Sequence, residues 1–248
     1  MNPNKVTIKV TTRSNLFIGG SPSTFEIGGV DLFTVTNEKG LPYIPASSFK
    51  GTLRHIIKES VKYPGEQQDH GRVVTRAYEG YLKTIWENSQ EELKQYNIKG
   101  ERIQRMNDRY AKVIKESSAQ YLFGIEGFND TPKLIFNDLQ LVEEQKEIQD
   151  WFSIDSKNSI EQSQEGGVPK VHANPRTYKV VRPGISFIGD ILLYNIDQLN
   201  MDDAIMEPIV QRFVRAAISQ FNSGLYRLGN SGSRGYGRVT VEFVGEDA

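Results

Sequence analysis

IGGVDLFTVTNEKGLPYIPASSFKGTLRHIIK, residues Ile27 to Lys58, asks for a turn, a strand and a basic helix in quick succession. Gly28 and Gly29 give the backbone freedom just ahead of a lone carboxylate, so a loop can present Asp31 without steric penalty. Lys39-Gly40 followed by Pro42 reads as a second turn. Beyond Ile44-Pro45, Ser47 or Ser48 is positioned to cap a helix whose apolar residues Phe49, Leu53, Ile56 and Ile57 recur at helical spacing. One side of that helix therefore packs inward. Lys50, Arg54 and Lys58 follow one another at four-residue intervals and line a second stripe. No acid lies between Glu38 and Glu59 to neutralise them. A capped helix start with free amides and a basic stripe behind it is one way to seat a phosphate backbone. An ordinary amphipathic helix with a solvated basic face fits the same spacing, so the rest of the chain has to decide.

Working outward, the 248 residues with 38% hydrophobic content suffice for one large domain or two small ones with a packed core. The polar opening MNPNKVTIKVTT lacks the apolar segment of a signal peptide, and no apolar run reaches membrane-spanning length, so a soluble, cytoplasmic protein is expected. The absence of cysteine excludes disulfides, thiolate catalysis and cysteine-held zinc. His55, His70 and His172 are scattered, which leaves oxygen ligands for any metal. Net charge is -1 with a pI near 6.4, too balanced for binding nucleic acid by bulk electrostatics. The charges are nonetheless segregated. Lys39 to Lys58, Gly166 to Gly189 and Pro208 to Val241 contain no Asp or Glu, while Glu143, Glu144, Glu147, Asp150, Asp155, Glu161 and Glu165 crowd together. That pattern suggests a basic face or groove, with chance segregation as the alternative.

In chain order, Val6, Ile8 and Val10 alternate with Lys5, Thr7 and Lys9, which predicts a first strand over Lys5 to Thr12. Residues 63–118 carry Tyr78, Leu82, Ile85 and Trp86 at helical spacing and read as a helical insertion. Lys133 to Val142 returns to strand character, interrupted at Asp138 as by a bulge or an edge residue. The acid-rich stretch Glu143 to Glu165, ending in Gly166-Gly167, reads as a mobile projecting loop. Arg176 to Val181 and Ile185 to Ile196 read as two strands of one hairpin about Arg182-Pro183-Gly184. Pro208 suits a helix start, and Ile209, Val210, Phe213, Val214, Ala217, Ile218 and Phe221 form its apolar face. Tyr236 to Val244 alternates as a closing strand. The order β, α, β, β, α, β predicts an α+β protein of the ferredoxin-like, or RRM-like, class with large insertions.

Ahead of the closing strand lies LGNSGSRGYGR, Leu228 to Arg238, in which Gly229, Gly232, Gly235 and Gly237 permit close backbone approach and Arg227, Arg234 and Arg238 supply charge. It lacks the Gly-Lys-Ser/Thr ending of a Walker A loop, and it leads into a strand where a dinucleotide fingerprint leads into a helix. An anion-wrapping loop and a flexible surface turn are the two readings, and the second leaves the three arginines unexplained.

The chain resembles the RAMP proteins of CRISPR-Cas systems, in particular the repeating backbone subunit of type III effector complexes. The resemblance is carried by Ile27 to Asp31, Leu41 to Arg54, Leu122-Phe123-Gly124 before Asp138, Val181 to Gly184 before Phe187, and Gly229 to Gly237, all in that order. It departs from the family pattern at Ala46, at Asn230 and at Leu32-Phe33. The resemblance implies one RRM-like palm domain over 1–248 with inserted fingers and a thumb-like hairpin over 150–183. It implies a subunit that polymerises along a guide RNA, with target RNA, further copies of itself or related RAMP subunits, and the large and small subunits of the complex as partners, and no membrane. Residues expected at the RNA are Ser47, Ser48, Lys50, Arg54 and Lys58 on the helix and Lys170, His172, Arg176 and Arg182 on the thumb. Arg227, Gly229, Ser231, Gly232, Arg234, Gly235 and Arg238 complete the set in the glycine loop. In cleaving members the aspartate at the position of Asp31 is catalytic and drives metal-dependent cutting of the target, which implies Mg2+ or another divalent cation held at Asp31. A non-cutting scaffold, a guide-processing endoribonuclease and a small-ligand module on a ferredoxin-like fold are the competing readings. The second lacks a histidine beside Asp31 or in the glycine loop, and the third has no use for three acid-free windows.

Overall fold

The structure, a computed structural model, describes residues 4–20, 30–62, 65–95, 100–142, 147–165 and 168–245. In order they form β1 (Lys5–Thr12), β2 (Leu32–Phe33), α1 (Ala46–Ser60), α2 (Glu66–Gln95), α3 (Gly100–Lys115), β3 (Lys133–Phe136), β4 (Gln140–Leu141) and the single turn α4 (Ile148–Trp151). β5 (Phe152–Glu165), β6 (Val168–Val181), β7 (Ser186–Tyr194), α5 (Met206–Ser219) and β8 (Val239–Phe243) follow. The chain is α+β, as its pattern predicts. The main sheet has the order β3-β7-β1-β8, with β4 also paired to β7. Counting only β1, β3, β7 and β8, the order is second, third, first, fourth, the arrangement of a ferredoxin-like sheet. A second sheet has the order β2-β6-β5. No helix among the described residues is long and apolar enough to cross a membrane.

The chain divides into two compact units. One comprises Met1–Val6, Leu53–Phe136 and Ile191–Ile218. In it α2 buries Val74, Ala77, Tyr78 and Leu82, and the Tyr78 hydroxyl donates to the carbonyl of Pro132 at 2.7 Å, so the aromatic end of this contact is both dry and satisfied. Burial pushes the Tyr78 phenol far above its ordinary range, which keeps it a neutral donor. α3 contributes no buried residue but stacks Tyr110 on Trp86, with ring centroids 4.5 Å apart. Gln67 donates to the carbonyl of Phe213 at 3.0 Å, tying the start of α2 to α5.

The other unit comprises Thr7–Thr52, Asn137–Asp190 and Ser219–Ala248. β1 pairs antiparallel with β8, Val10 opposite Val241, and the far edge of β8 is closed by Asn222, whose amide side chain donates to and accepts from Val241 at 3.0 and 2.7 Å. The Asn222 side chain thus satisfies one outward-facing peptide pair on the edge of β8. Phe49 of α1 stacks on Phe221, both fully buried. At the end of β1 the buried Thr12 hydroxyl donates to the carbonyl of Arg182 at 2.7 Å and accepts from the amide of Ile185 at 2.9 Å, fixing the turn that leaves β6.

Three expectations change. Glu143 to Glu165 is not a projecting loop throughout: from Phe152 onward it is β5, paired residue for residue with β6 from Phe152↔Val181 to Glu165↔Val168. Its polar residues on both faces hide strand character from a hydrophobicity pattern, because pairing along the backbone leaves no trace in that pattern. β6 and β7 do not form one hairpin, since Arg182-Pro183-Gly184 passes the chain from the second sheet to the main sheet. Finally, neither Ser47 nor Ser48 caps α1. Both lie inside its first turn, Pro45 supplies the opening carbonyl to Ser48 and Phe49, and the Ala46 amide donates to Asp138 Oδ1 at 2.7 Å. The interruption at Asp138 between β3 and β4 is thus the helix cap, delivered from a distant part of the chain.

Two substitutions test these constraints. Thr12→Val leaves the Arg182 carbonyl and Ile185 amide without their hydroxyl partner, and denaturant unfolding is expected to show a loss of about 1–3 kcal/mol. Asp138→Ala removes the cap and is expected to cost about 1 kcal/mol in the same measurement.

Candidate nucleic-acid interface

Along α1 the expected basic stripe forms because its apolar positions are taken inward: Phe49, Leu53, Ile56 and Ile57 have no exposed surface, while Lys50 is half-buried and Arg54 and Lys58 are exposed. Arg54 is held in place. Its Nε donates to Gln120 Oε1 at 3.2 Å, and Gln120 Nε2 returns a bond to the Arg54 carbonyl at 3.3 Å. Among the described residues, neither terminal nitrogen of the guanidinium makes a hydrogen bond. Ser47 is exposed on the first turn and Ser48 half-buried.

Asp31 is fully solvent-facing yet firmly placed. β2 runs parallel to β6, Leu32 opposite Tyr178, which puts Asp31 beside Thr177. The Thr177 amide donates to Asp31 Oδ2 at 2.6 Å, the Thr177 hydroxyl donates to the same oxygen at 3.0 Å, and the Asp31 amide donates to Thr177 Oγ1 at 3.1 Å. The Thr177 amide, then its hydroxyl, hold the Asp31 carboxyl below the ordinary carboxylate range, and the nearby Arg176 charge adds to them. Asp31 is therefore an anion near neutral pH and a weak proton acceptor there. Gly28 and Gly29, expected to free this loop, lie outside the described residues.

The glycine loop is closed on itself and anchored. Leu228 donates to Gly237 at 2.9 Å, Gly237 donates to Asn15 at 2.8 Å, and Asn230 donates to Phe17 at 2.7 Å. Gly229 and Gly237 both have positive φ, and a Cβ at either would collide with backbone, at Phe17 and at Leu228 respectively, so these two positions require glycine. Ser231 also adopts the left-handed region and leads into a short turn over Gly232–Arg234, with Gly235 at φ 91° behind it. The loop is thus a formed structure, unlike the flexible turn that was its alternative reading. Arg227 is half-buried along Gly232, while Arg234 and Arg238 are exposed.

An apolar cluster of Phe17, Tyr178, Val180 and Tyr236, with Leu32 packed against it, joins the loop to β6 and β2. Tyr178 meets Phe17 edge-on at 5.3 Å between centroids. From β5, Asp155 accepts the Tyr236 hydroxyl, and Lys157 lies over the Tyr236 ring with Nζ 3.3 Å from its centroid. Burial pulls the Lys157 amine below its ordinary range against the opposing attraction of Asp155, and Arg234 adds to the lowering.

The structure brings Asp31, Arg176 and the glycine loop around this one cluster. Arg182 is exposed, but its Nε donates to the Phe152 carbonyl and its amide to that of Trp151 at 3.0 Å, so it closes the base of the β5–β6 pair. Lys170 and His172 fall on β6 opposite Ser163 and Glu161; their side chains lie outside the described residues. Gln120 on Arg54, Thr177 on Asp31 and Lys157 over Tyr236 make contacts that the sequence reading does not anticipate, while Asp138, Asp155 and Tyr236 enter that reading only as a strand interruption, as part of an acid cluster and as the start of the closing strand. Among the described residues no group of three or more His, Cys, Asp or Glu is placed to hold a metal. A lone carboxylate such as Asp31 is a donor type that suits a hard cation such as magnesium, which keeps several water ligands.

No curated protein matches the chain significantly. Among solved structures, a chain from a cryo-EM structure of the type III-B Cmr-beta bound to cognate target RNA aligns at 17% identity with a TM-score of 0.48, covering 97% of this chain. This chain spans 61% of the length of that one. The family model of the RAMP superfamily matches residues 9–240. With nearly its whole length matched, the chain belongs to the RAMP superfamily.

Proposed function

We propose that this protein is the backbone subunit of a cytoplasmic type III CRISPR ribonucleoprotein, binding guide RNA and cutting complementary target RNA at Asp31. The observation that carries this reading is the placement of an ionised, solvent-facing Asp31 on the strand pair that also packs against the arginine-bearing glycine loop. Membership of the RAMP superfamily supports it. Lys50, Arg54 and Lys58 offer charge to guide phosphates, and Arg227, Arg234 and Arg238 offer it from the loop.

In the cutting step the target's 2′-oxygen attacks the adjacent phosphorus and the bond to the 5′-oxygen breaks. The products are a 2′,3′-cyclic phosphate and a 5′-hydroxyl, the proton of the attacking hydroxyl being balanced by the one gained at the leaving oxygen. DNA lacks the attacking group and is spared. The chain's contribution is chiefly to hold the strand in line and to present fixed charge. Asp31, with Oδ2 occupied by Thr177, offers Oδ1 to a divalent cation, which supplies charge neutralisation at the phosphate when bound. Its lowered pKa favours this over a role as proton acceptor.

A second reading, a scaffold that binds guide RNA without cutting, is favoured by one observation: the Thr177 bonds also satisfy Asp31 as a purely structural residue. Guide-loaded assemblies carrying wild type or Asp31→Ala separate the two. With magnesium and labelled complementary RNA, wild type is expected to cut at regular spacing, and Asp31→Ala to bind the target equally while cutting at least about a hundredfold more slowly. Binding by both without cutting by either makes the scaffold reading correct. For guide binding, Lys50→Ala is expected to weaken affinity evenly across sequences and to reduce the salt dependence by about one counterion. Affinity insensitive to salt in the wild type would instead favour a small-ligand module.

A further inference from the structure

Thr177 is not charged, is not part of a recognisable motif, and lies 146 residues from Asp31 in the chain. It nevertheless makes every hydrogen bond described between the Asp31 loop and β6 at this position: two donors to Oδ2 and one acceptor for the Asp31 amide. Two of the three pass through its hydroxyl. The consequence is chemical as well as mechanical. Both donors reach the same oxygen, so the two carboxylate oxygens are no longer equivalent, and Oδ1 is left without a donor from any other described residue. A carboxylate on a solvent-facing loop ordinarily samples several rotamers and presents either oxygen or both. Here the rotation is opposed by a paired hydroxyl and amide. Because Thr177 belongs to β6, opposite Ser156 of β5, the acidic group is tied to the same strand pair whose other face is packed against Tyr236 of the glycine loop.

We propose that Thr177 is the positioning residue of the site: its hydroxyl fixes the Asp31 side chain so that Oδ1 alone is presented to the RNA. This rests on the reading of Asp31 as the cutting residue and adds which residue makes that aspartate competent. Thr177 acts through Asp31 and does not itself touch the reacting atoms. A hydroxyl is required and a methyl is not, so serine substitutes for threonine and the near-isosteric valine does not.

The test uses guide-loaded assemblies with wild type, Asp31→Ala, Thr177→Val and Thr177→Ser. Cutting at saturating target and target affinity are measured separately, and amide hydrogen exchange at residue 177 is followed in the wild type and Asp31→Ala. Thr177→Val is expected to slow cutting between roughly tenfold and a hundredfold, the scale of a misplaced catalytic group, while affinity stays within about twofold. Thr177→Ser is expected to restore cutting to within about threefold of wild type, and Asp31→Ala to speed exchange at the Thr177 amide. Cutting by Thr177→Val at the wild-type rate, in an assembly where Asp31→Ala is inactive, overturns the positioning role and leaves the cutting role of Asp31 standing. Equal loss in the serine and valine variants, or exchange at residue 177 unchanged by Asp31→Ala, overturns it as well. A wild type that binds target and does not cut overturns both.

Discussion

The site depends on the burial of Tyr178 against Phe17 and Tyr236. Each of these rings is nearly removed from water, and burial of a large side chain contributes about 1.5–3 kcal/mol, with a further 0.5–1.5 kcal/mol for a well-oriented aromatic pair. Tyr178 sits on β6, Tyr236 in the glycine loop, and Leu32, directly after Asp31, packs against the same cluster. Alternation does the rest. With Leu32 and Tyr178 directed into the cluster, their neighbours Asp31 and Thr177 fall on the opposite face, which is where they meet. A hydrophobic contact on one side of a narrow sheet thus determines a polar clasp on the other.

Charge is organised by the same long-range pairing. The three windows without acid suggest uninterrupted basic surface, but in space each receives a carboxylate from elsewhere: Asp138 at the start of α1, Asp31 beside Arg176, and Asp155 on Tyr236. Each of these carboxylates is spoken for by specific donors, at the Ala46 amide, at Thr177 and at the Tyr236 hydroxyl. The basic side chains Arg54, Lys58, Arg234 and Arg238 are exposed. In a nearly neutral chain, these three carboxylates each have a defined structural partner.

Much of the architecture is legible in the residue pattern because it follows from local chemistry. Strict alternation marks β1 and β8, helical periodicity marks α1 and α5, and the α+β class follows from their order. The glycine loop is legible as a feature, though not its reason: Gly229 and Gly237 are required by backbone atoms of Phe17 and of Leu228, and only the first of these comes from a remote segment. β5 is illegible for a complementary reason. Its polar residues are stabilised by pairing along β6, and a hydrophobicity pattern does not record a partner strand.

The sequence by itself determined the family, the elements whose burial pattern is periodic, and the positions of Asp31, Lys50 and the loop arginines. It did so because periodicity and motif spacing are properties of neighbouring residues. Only the tertiary structure decided that Asp138 and not a serine caps α1, that Arg182 closes the base of a strand pair, and that Thr177 holds Asp31 by one oxygen. These are hydrogen bonds between groups far apart in the chain. Their partners are chosen by which strands lie side by side, and no local preference of serine, arginine or threonine specifies that choice.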